Sequence, residues 1–264
     1  MFKGETFEEF HDYFKSEFVC RQYLFDLKWS DGYCCKKCGF NKFWKGRTAL
    51  HARCARCDYD ESVTAHTIFH KIQIPLLKAF SIAFHIVVLK KGISTNDAAE
   101  VYGINQKTAW RFQRRAQEAM GAGLSEDGVY LDGVNYTLDS IAISHREKRL
   151  NGLQRVNLVV SRKKIKRTKM VQLRGIRSMP TPTTFDNCQL VAGHYVNEGK
   201  SIRVWNCKTW LTGIHHHCSD KYLQGYLDQY YFKQSYLQRK ELIFHTLITQ
   251  MVKCKPLNFN TRAA

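Results

Sequence analysis

The chain has 264 residues, of which 44% are hydrophobic, so it is long enough for one large domain or two to three small ones. Its 41 Lys and Arg residues against 23 Asp and Glu residues give a formal net charge of +18. Because a polyanion would relieve this self-repulsion, nucleic acid is the leading class of partner. The charge alone also fits a merely basic surface, ribosome association or a role at a membrane surface.

The hydropathy pattern indicates neither export nor insertion into a membrane. Residues 1–12 are polar and of mixed charge, without the apolar core of a signal peptide. The most apolar stretch, 74–89, is shorter than a bilayer requires and contains Lys78 and His85. We therefore expect a cytoplasmic protein without a membrane span.

The first third of the chain predicts helices followed by a segment organised by a metal ion. Apolar residues in 6–27 recur at nearly helical spacing, which predicts one or two short amphipathic helices. Residues 33–64 are rich in Cys, Lys, Arg and aromatic residues, which favours short strands and turns around a metal. A further helix is expected from Pro75 through Leu89, since proline is tolerated in a first helical turn.

Two Cys-x2-Cys pairs make up the strongest motif of the sequence. Cys35 and Cys38 are separated by 15 residues from Cys54 and Cys57, a spacing that lets two tight loops present four thiolates to one zinc ion. Ten cysteines in a reducing compartment favour such a site over disulfides. Four free thiols in a basic loop are the alternative.

Neighbouring residues bear on the same motif. Cys34 could replace Cys35 as a ligand, and His51 is close enough in sequence to compete. Gly39 directly after the first pair permits an unusual turn conformation, and Phe43 and Trp44 are expected to cover a metal centre that has no large core of its own.

Two helices joined by a glycine are expected next. Ser94 is a good N-cap for a helix over Thr95 to Tyr102, which Gly103 ends. Asn105 caps a second helix over Gln106 to Met120. The pair has the form of a helix-turn-helix, whose second helix can enter a DNA major groove.

On that interpretation the second helix supplies the contacts to DNA. Many helix pairs of this shape bind no DNA, so the overall positive charge is needed to favour it. The residues expected to contact phosphates or bases are Lys107, Arg111, Arg114 and Arg115.

The second half of the chain predicts a sheet and terminal helices. Residues 121–123, Gly-Ala-Gly, predict a linker. Residues 129–134 and 155–160 are expected to be strands of one sheet. We expect a mixed α/β region over 161–204 and two helices over 218–251.

Asp132 is a candidate functional residue because it lies in the apolar strand expected at 129–134. Burying a carboxylate without a partner costs several kcal/mol, so its side chain is expected to face a cleft, a metal or a hydrogen-bonded turn. A structural role for this aspartate remains open beside a catalytic one.

The order and spacing of several sequence blocks carry a resemblance to a known family. The two Cys-x2-Cys pairs precede Ser-Val-Thr-Ala-His-Thr-Ile-Phe-His at 62–70, and Val-Tyr-Leu-Asp-Gly follows at 129–133. A long block from Lys208 to Asp228 continues the pattern. Together these blocks resemble the ISXO-two-like insertion-sequence transposases over nearly the whole chain.

The resemblance implies an α+β multidomain protein. Its parts would be N-terminal helices and a zinc ribbon at 1–70, a helix-turn-helix region at 71–122, and a truncated RNase H-like (DDE) domain at 123–264. It implies structural Zn²⁺ and catalytic Mg²⁺ or Mn²⁺, two of which stabilise the attacking and leaving oxygens of phosphoryl transfer. The partners would be double-stranded DNA, as transposon ends and as target, and other copies of the chain on that DNA.

The sequence departs from the family pattern at its catalytic positions. Asp132 matches the first catalytic aspartate, and Lys208 matches the lysine that follows the last catalytic position. Trp205 or Asn206 stands where the family has its second aspartate, and several dozen residues with the third position are missing after it. Asp186 is the nearest replacement carboxylate.

We therefore expect a transposase that cuts and joins DNA at terminal inverted repeats in the intact family and is catalytically impaired in this chain. The alternative is a non-enzymatic DNA-binding remnant that competes with or regulates a full-length transposase. An unrelated zinc-ribbon regulator is disfavoured by the match in the last third of the chain.

Overall fold

The computed structural model describes residues 1–126, 136–143, 154–165, 168–180, 189–191, 194–196, 202–215 and 220–254. They form two compact units. Unit 1 combines Met1–Gly123 with the described residues from Gln238 onward, and unit 2 comprises the described residues of Leu124–Leu237. Among the helices in these ranges, none combines the length and apolar character needed to cross a membrane.

Unit 1 is mainly helical with one small sheet, and unit 2 has longer strands together with helices. In chain order the helices are α1 (Phe7–Tyr13), α2 (Glu17–Lys28), α3 (Leu76–Val88), α4 (Thr95–Tyr102), α5 (Gln106–Glu126), α6 (Ile202–His215), α7 (Asp220–Ser235) and α8 (Lys240–Lys253). The strands are β1 (Phe43–Lys45), β2 (His51–Cys54), β3 (Asp60–Ser62), β4 (Tyr136–Ile143), β5 (Gln154–Ile165), β6 (Thr168–Pro180), β7 (Gln189–Val191) and β8 (His194–Val196). The presence of separate helices and sheets confirms the expected α+β class.

The first two helices are started by side-chain caps. The Thr6 side chain accepts a hydrogen bond from the Glu9 N–H, and the Glu9 carboxylate accepts one from the Thr6 N–H, which together form a capping box. Ser16 caps α2 by accepting from the Val19 N–H. The expectation of one or two short helices over 6–27 is thus confirmed, with α1 and α2 as separate helices.

Phenylalanine rings from α1, α3 and α8 form the core of unit 1. Phe10, Phe80, Phe84 and Phe244 are fully buried. Ring centroids lie 4.7 Å apart for Phe10 and Phe84 and 5.5 Å apart for Phe84 and Phe244. Such pairs contribute about 0.5–1.5 kcal/mol each beyond the burial of their area. The helix expected from Pro75 to Leu89 is confirmed as α3, which supplies the central rings.

The end of α4 is fixed by a glycine and by two side chains of α3. Gly103 has φ +58°, a left-handed conformation that costs glycine little, and it ends the helix where the sequence predicts. Lys78 Nζ donates to the Tyr102 carbonyl at 2.7 Å, and His85 Nδ1 hydrogen-bonds the Tyr102 hydroxyl. α4 is therefore anchored to α3 at the turn that leads into α5.

α5 begins at Gln106, as predicted, and the Asn105 side chain accepts from the Lys107 N–H at 2.8 Å. The helix then continues through 121–123 to Glu126, so the predicted linker is wrong. A glycine inside a helix costs only about 1 kcal/mol relative to alanine, which the hydrogen bonds of a long helix outweigh.

Unit 2 contains an antiparallel sheet in the order β4-β5-β6. Its register runs from Tyr136 opposite Ser161 to Ile143 opposite Gln154, and β5 pairs with β6 along its whole length. β7 pairs with β8, α6 contacts β4, and α7 contacts β6. The strand expected at 155–160 is confirmed within β5, whereas the one at 129–134 lies outside the described residues.

The remaining C-terminal predictions concern the mixed region and the last helices. The described parts of 161–204 contain strands and the start of α6, which confirms the mixed α/β character. Two helices, α7 and α8, confirm the prediction for 218–251.

The structure groups the chain differently from the expected parts 1–70, 71–122 and 123–264. Unit 1 holds the first two parts together with α8, because the apolar face of α8 packs against α2 and α3. Phe244, Leu247 and Ile248 are buried on that face. The RNase H-like assignment of the last part stays a prediction.

A buried ion pair connects α2 to β3. Lys28 Nζ lies 2.6 Å from Glu61 Oε1, and the two side chains are 8% and 1% exposed. Lys28 also donates to the carbonyls of Ser62 at 2.8 Å and Ala65 at 2.7 Å. Burial lowers the pKa of Lys28, and Glu61 opposes that shift. This ammonium group is therefore one of the contacts that join α2 to the small sheet, beside the ring contacts of Phe25 and Trp29 with Phe43.

We expect Lys28→Met to lower the free energy of unfolding of unit 1 by about 3–5 kcal/mol, because Glu61 would be left charged and buried. Urea unfolding followed by far-ultraviolet circular dichroism measures this loss. The double variant Lys28→Met/Glu61→Leu should recover the part of the loss that comes from the uncompensated charge, whereas the hydrogen bonds from Lys28 to the Ser62 and Ala65 carbonyls stay lost.

The exposed ion pair of Lys253 with Asp31 provides the matched control, with side chains 58% and 77% exposed. Lys253→Met should cost less than about 1 kcal/mol. Equal losses in the two single Lys→Met variants would contradict the role given to Lys28.

Candidate metal centre

A small antiparallel sheet, β1-β2-β3, brings the two cysteine pairs together. Cys35 and Cys38 lie in the loop that precedes β1, and Cys54 is the last residue of β2. In the register of the sheet, Phe43 of β1 lies opposite Cys54, so the first loop runs beside the second.

The first pair lies in a tight loop with its own hydrogen bonds. The Cys35 N–H donates to the Phe40 carbonyl at 2.9 Å, and the Gly39 N–H donates to the Cys35 carbonyl at 2.9 Å. The Lys37 N–H points at Cys35 Sγ, 3.4 Å away. An N–H donor at this position favours the thiolate over the thiol.

The second pair repeats this arrangement. The Cys54 N–H donates to the Tyr59 carbonyl at 2.9 Å, and the Asp58 N–H donates to the Cys54 carbonyl at 3.1 Å. The Arg56 N–H lies 3.4 Å from Cys54 Sγ. The two loops therefore have the same local geometry and present their sulfurs in the same way.

Asp58 takes in the second loop the place that Gly39 takes in the first. Both residues follow the second cysteine of a pair and are left-handed, with φ +56° for Asp58 and +74° for Gly39. Aspartate tolerates this region better than most residues, and Arg53 Nε holds its carboxylate at 2.9 Å. Asp58 was not predicted from the sequence, although its position directly after Cys57 was the available signal.

The four sulfurs form one cluster. Cys35 Sγ lies 3.6 Å from Cys57 Sγ, Cys38 Sγ lies 3.5 Å from Cys54 Sγ, and all four lie within 4.8 Å of one another. Zinc bound tetrahedrally at about 2.3 Å from each sulfur would separate the sulfurs by about 3.8 Å. Four thiolates are also the donor set that suits zinc chemically. The cluster can therefore hold a metal ion such as zinc.

The ionisation of the cluster favours a cation at its centre. Burial raises the pKa of Cys35, but N–H groups of Cys38 and Lys37 and bonds from neighbouring thiols lower it to about 6. The Phe40 N–H lowers the pKa of Cys38, yet burial and the surrounding sulfurs raise it to about 12. The lowered pKa of Cys35 thus favours its thiolate, whereas the raised pKa of Cys38 opposes ionisation of its thiol. A divalent metal removes that resistance by binding all four as thiolates.

Aromatic side chains surround the cluster on one face of the sheet. Tyr33 is buried against the cysteines, and Trp29, Phe40 and Tyr59 pack around it. Phe43, which was expected to cover the metal centre, contacts this group through the ring of Tyr33 at 5.0 Å, and it is itself 37% exposed.

The same expectation is wrong for Trp44, which is 68% exposed. Successive residues of a strand point to opposite faces of the sheet. The side chain after Phe43 is therefore directed away from the sulfurs.

The alternative ligands stay outside the cluster. Cys34 is exposed, with its Sγ 3.8 Å from the Gly39 carbonyl. His51 Nδ1 lies 3.6 Å from Asp60 Oδ1. Within the described part of the chain, the four-sulfur group includes neither residue.

The four residues expected to contact DNA differ in their surroundings. Lys107 and Arg111 are exposed on α5. Arg114 is only 5% exposed, and its guanidinium lies 5.7 Å from the centre of the Trp110 ring. Arg115 is partly buried and donates to two backbone carbonyls, those of residue 68 at 3.1 Å and of residue 70 at 3.3 Å.

Of the three residues expected to be catalytic, Lys208 alone lies in the described part of the chain. Asp132 and Asp186 lie outside the described residues. Lys208 falls within α6, as do Trp205 and Asn206. A site for Mg²⁺ or Mn²⁺ therefore stays a prediction of the resemblance alone.

Comparison of the chain with protein-family models, curated proteins and solved structures gives no match. The resemblance to the ISXO-two-like transposases stands as an interpretation of the sequence blocks, and the function is argued from the chain's own residues.

We expect the purified protein to bind about one zinc ion per chain through the four thiolates. Cys54→Ser should lose this zinc and unfold the small sheet, because the bound metal contributes folding free energy there. Elemental analysis of the dialysed protein measures the metal, and circular dichroism should show that the helices of unit 1 persist.

Cys34→Ser is the matched control, since it removes a neighbouring thiol that lies outside the cluster. It should keep the full zinc content. Zinc retained by Cys54→Ser, or lost equally from both variants, would show that the ligand set is wrong.

Proposed function

We propose that the protein is a DNA-binding protein whose N-terminal part is organised by a structural zinc ion. The observation that carries the proposal is the cluster of four sulfurs within 4.8 Å of one another. Residues 33–57, which contain that cluster, have seven Lys and Arg residues and no Asp or Glu. A zinc tetrathiolate has two net negative charges, so the segment remains strongly positive and suited to a polyanion.

The α4–α5 pair supports recognition of duplex DNA. Gln106 Nε2 donates to Thr95 Oγ1 at 3.0 Å and so joins the first residues of the two helices. Lys107 and Arg111 are one helical turn apart and exposed near the start of α5. In a helix-turn-helix, this part of the second helix is the part that contacts base edges.

We assign different roles to the four basic residues of α5. Lys107 and Arg111 are exposed and can reach phosphates or bases. Arg114 and Arg115 have contacts within the chain, and we propose that they position the helix. Of the four residues that the sequence predicts to contact DNA, we therefore propose that Lys107 and Arg111 do so.

We further propose that the chain is an insertion-sequence transposase of the ISXO-two-like type whose nuclease is impaired. In the intact family, metal-dependent phosphoryl transfer cuts and joins DNA at terminal inverted repeats. Two metal ions require at least two well-placed carboxylates. The resemblance provides Asp132 but puts Trp205 or Asn206 at the second aspartate, which supports impairment.

A non-enzymatic remnant is the second candidate function. It needs only the sulfur cluster and the α4–α5 pair, whose residues are all present. Such a protein would occupy transposon ends as copies of the chain bound to double-stranded DNA. It would then compete with a full-length transposase or regulate it.

Replacing both exposed residues of α5, in Lys107→Ala/Arg111→Ala, should weaken binding to duplex DNA. For each phosphate that the variant no longer neutralises, the slope of log K against log salt concentration should become shallower by about 0.9. Fluorescence anisotropy titrations at several salt concentrations, on duplexes with the element's terminal inverted repeats, measure both effects.

The matched control is Lys3→Ala/Lys15→Ala, which removes the same charge from exposed positions elsewhere in unit 1. Its salt slope should stay within error of the parent. An unaltered slope in the α5 variant, or the same change in both variants, would count against α5 as the DNA-binding element.

Cleavage distinguishes the impaired transposase from an active one. Incubation with Mg²⁺ or Mn²⁺ and inverted-repeat DNA should give no strand cleavage, because only one matched carboxylate is present to hold two metals. Cleavage by the parent that is abolished in Asp132→Asn would overturn the impairment and assign the activity to this chain.

A further inference from the structure

Trp44 is the most exposed aromatic side chain of residues 1–122, at 68%. Tryptophan has a large apolar surface, and exposing it to water is unfavourable unless a partner covers it. No ring contact within the described residues involves Trp44, although Phe43 beside it contacts three aromatic rings.

The register of the small sheet defines the face on which Trp44 lies. Trp44 on β1 is opposite Arg53 on β2, which is opposite Asp60 on β3. Directly paired residues of antiparallel strands share a face. Phe43 and Cys54 share the other face, which is the face of the sulfur cluster and of the aromatic side chains around it. β1, which carries Trp44, is an edge strand of this sheet.

The segment that carries Trp44 is positively charged, since residues 33–57 include seven Lys and Arg residues and no Asp or Glu. The exposed cations in the segment include Lys36, Lys37, Lys42, Lys45 and Arg56. The two carboxylates near the face are engaged: Asp58 accepts from Arg53, and Asp60 accepts from the Arg47 N–H. An exposed aromatic ring among cations is complementary to a nucleobase attached to a phosphate backbone.

We propose that the Trp44 face of the small sheet binds an unpaired nucleotide of DNA by stacking the indole on the base, while exposed lysines of the same segment contact the phosphates. Within a duplex both faces of each base are covered by its neighbours, so a ring on a short sheet reaches a base face only where the strand is single or frayed. This inference rests on the proposed DNA binding and adds a second, chemically different contact to that of α5.

The test compares three DNA probes on the zinc-loaded full chain: single-stranded oligothymidylate, a duplex with a single-stranded overhang and the same duplex with blunt ends. Trp44→Ala should bind oligothymidylate and the overhang about tenfold more weakly and bind the blunt duplex as the parent does. Trp44→Phe should keep most of the affinity because a ring remains. Zinc content is measured for each variant, which shows that the sheet is intact.

Two further readouts make the result specific. Oligothymidylate should quench part of the tryptophan fluorescence of the parent, and this part should be absent in Trp44→Phe. Phe18→Ala removes another exposed aromatic residue, 57% exposed on α2, and should change neither affinity nor quenching.

The inference is overturned if Trp44→Ala binds all three probes as the parent does, or loses blunt-duplex affinity to the same degree. It is also overturned if Trp44→Ala only dissociates a dimer in sedimentation, since the ring would then cover a second copy. In these cases a salt-slope effect of Lys107→Ala/Arg111→Ala would still support the proposed function. A parent that binds none of the probes would reject the proposed function itself.

Discussion

Crowding of four sulfurs is the constraint on which the N-terminal part of the molecule depends. The strands of the small sheet have only three, four and three residues, too few to be stable through their own pairing. What joins them is the pair of matching loops, and those loops direct four ionisable thiols at one point. Four thiolates this close together repel one another unless a cation lies between them. This arrangement is further stabilised by the aromatic side chains around the cluster, by the left-handed residue after each cysteine pair and by the Lys28–Glu61 ion pair.

Local features of the fold could be predicted from the sequence because their causes are local. The cysteine spacing predicted the sulfur cluster, and the caps Ser94 and Asn105 with Gly103 predicted the boundaries of α4 and the start of α5. Features that depend on distant contacts could not be predicted. The burial of Arg114 and the packing of α8 in unit 1 are set by tertiary neighbours.

Two predictions were wrong because they were drawn from residues that are neighbours in the sequence. Glycines at 121 and 123 suggested a linker, but the surrounding helix outweighs their weak propensity. Trp44 was expected over the metal because it is next to Phe43, whereas strand alternation gives adjacent residues opposite faces. The candidate carboxylates Asp132 and Asp186 lie outside the described ranges, so the resemblance remains the only argument for their roles.

The construction of unit 1 from two separated stretches bears on how this chain can change in length. α5 lies mainly and α8 entirely in unit 1, and most of the described residues between them belong to unit 2. Residues can therefore be removed from the intervening stretch without deleting any ring of the phenylalanine core or any sulfur of the cluster. A chain built in this way can shorten its middle during evolution and still inherit a folded unit that contains the sulfur cluster, provided that the remaining segment still spans the two anchoring helices.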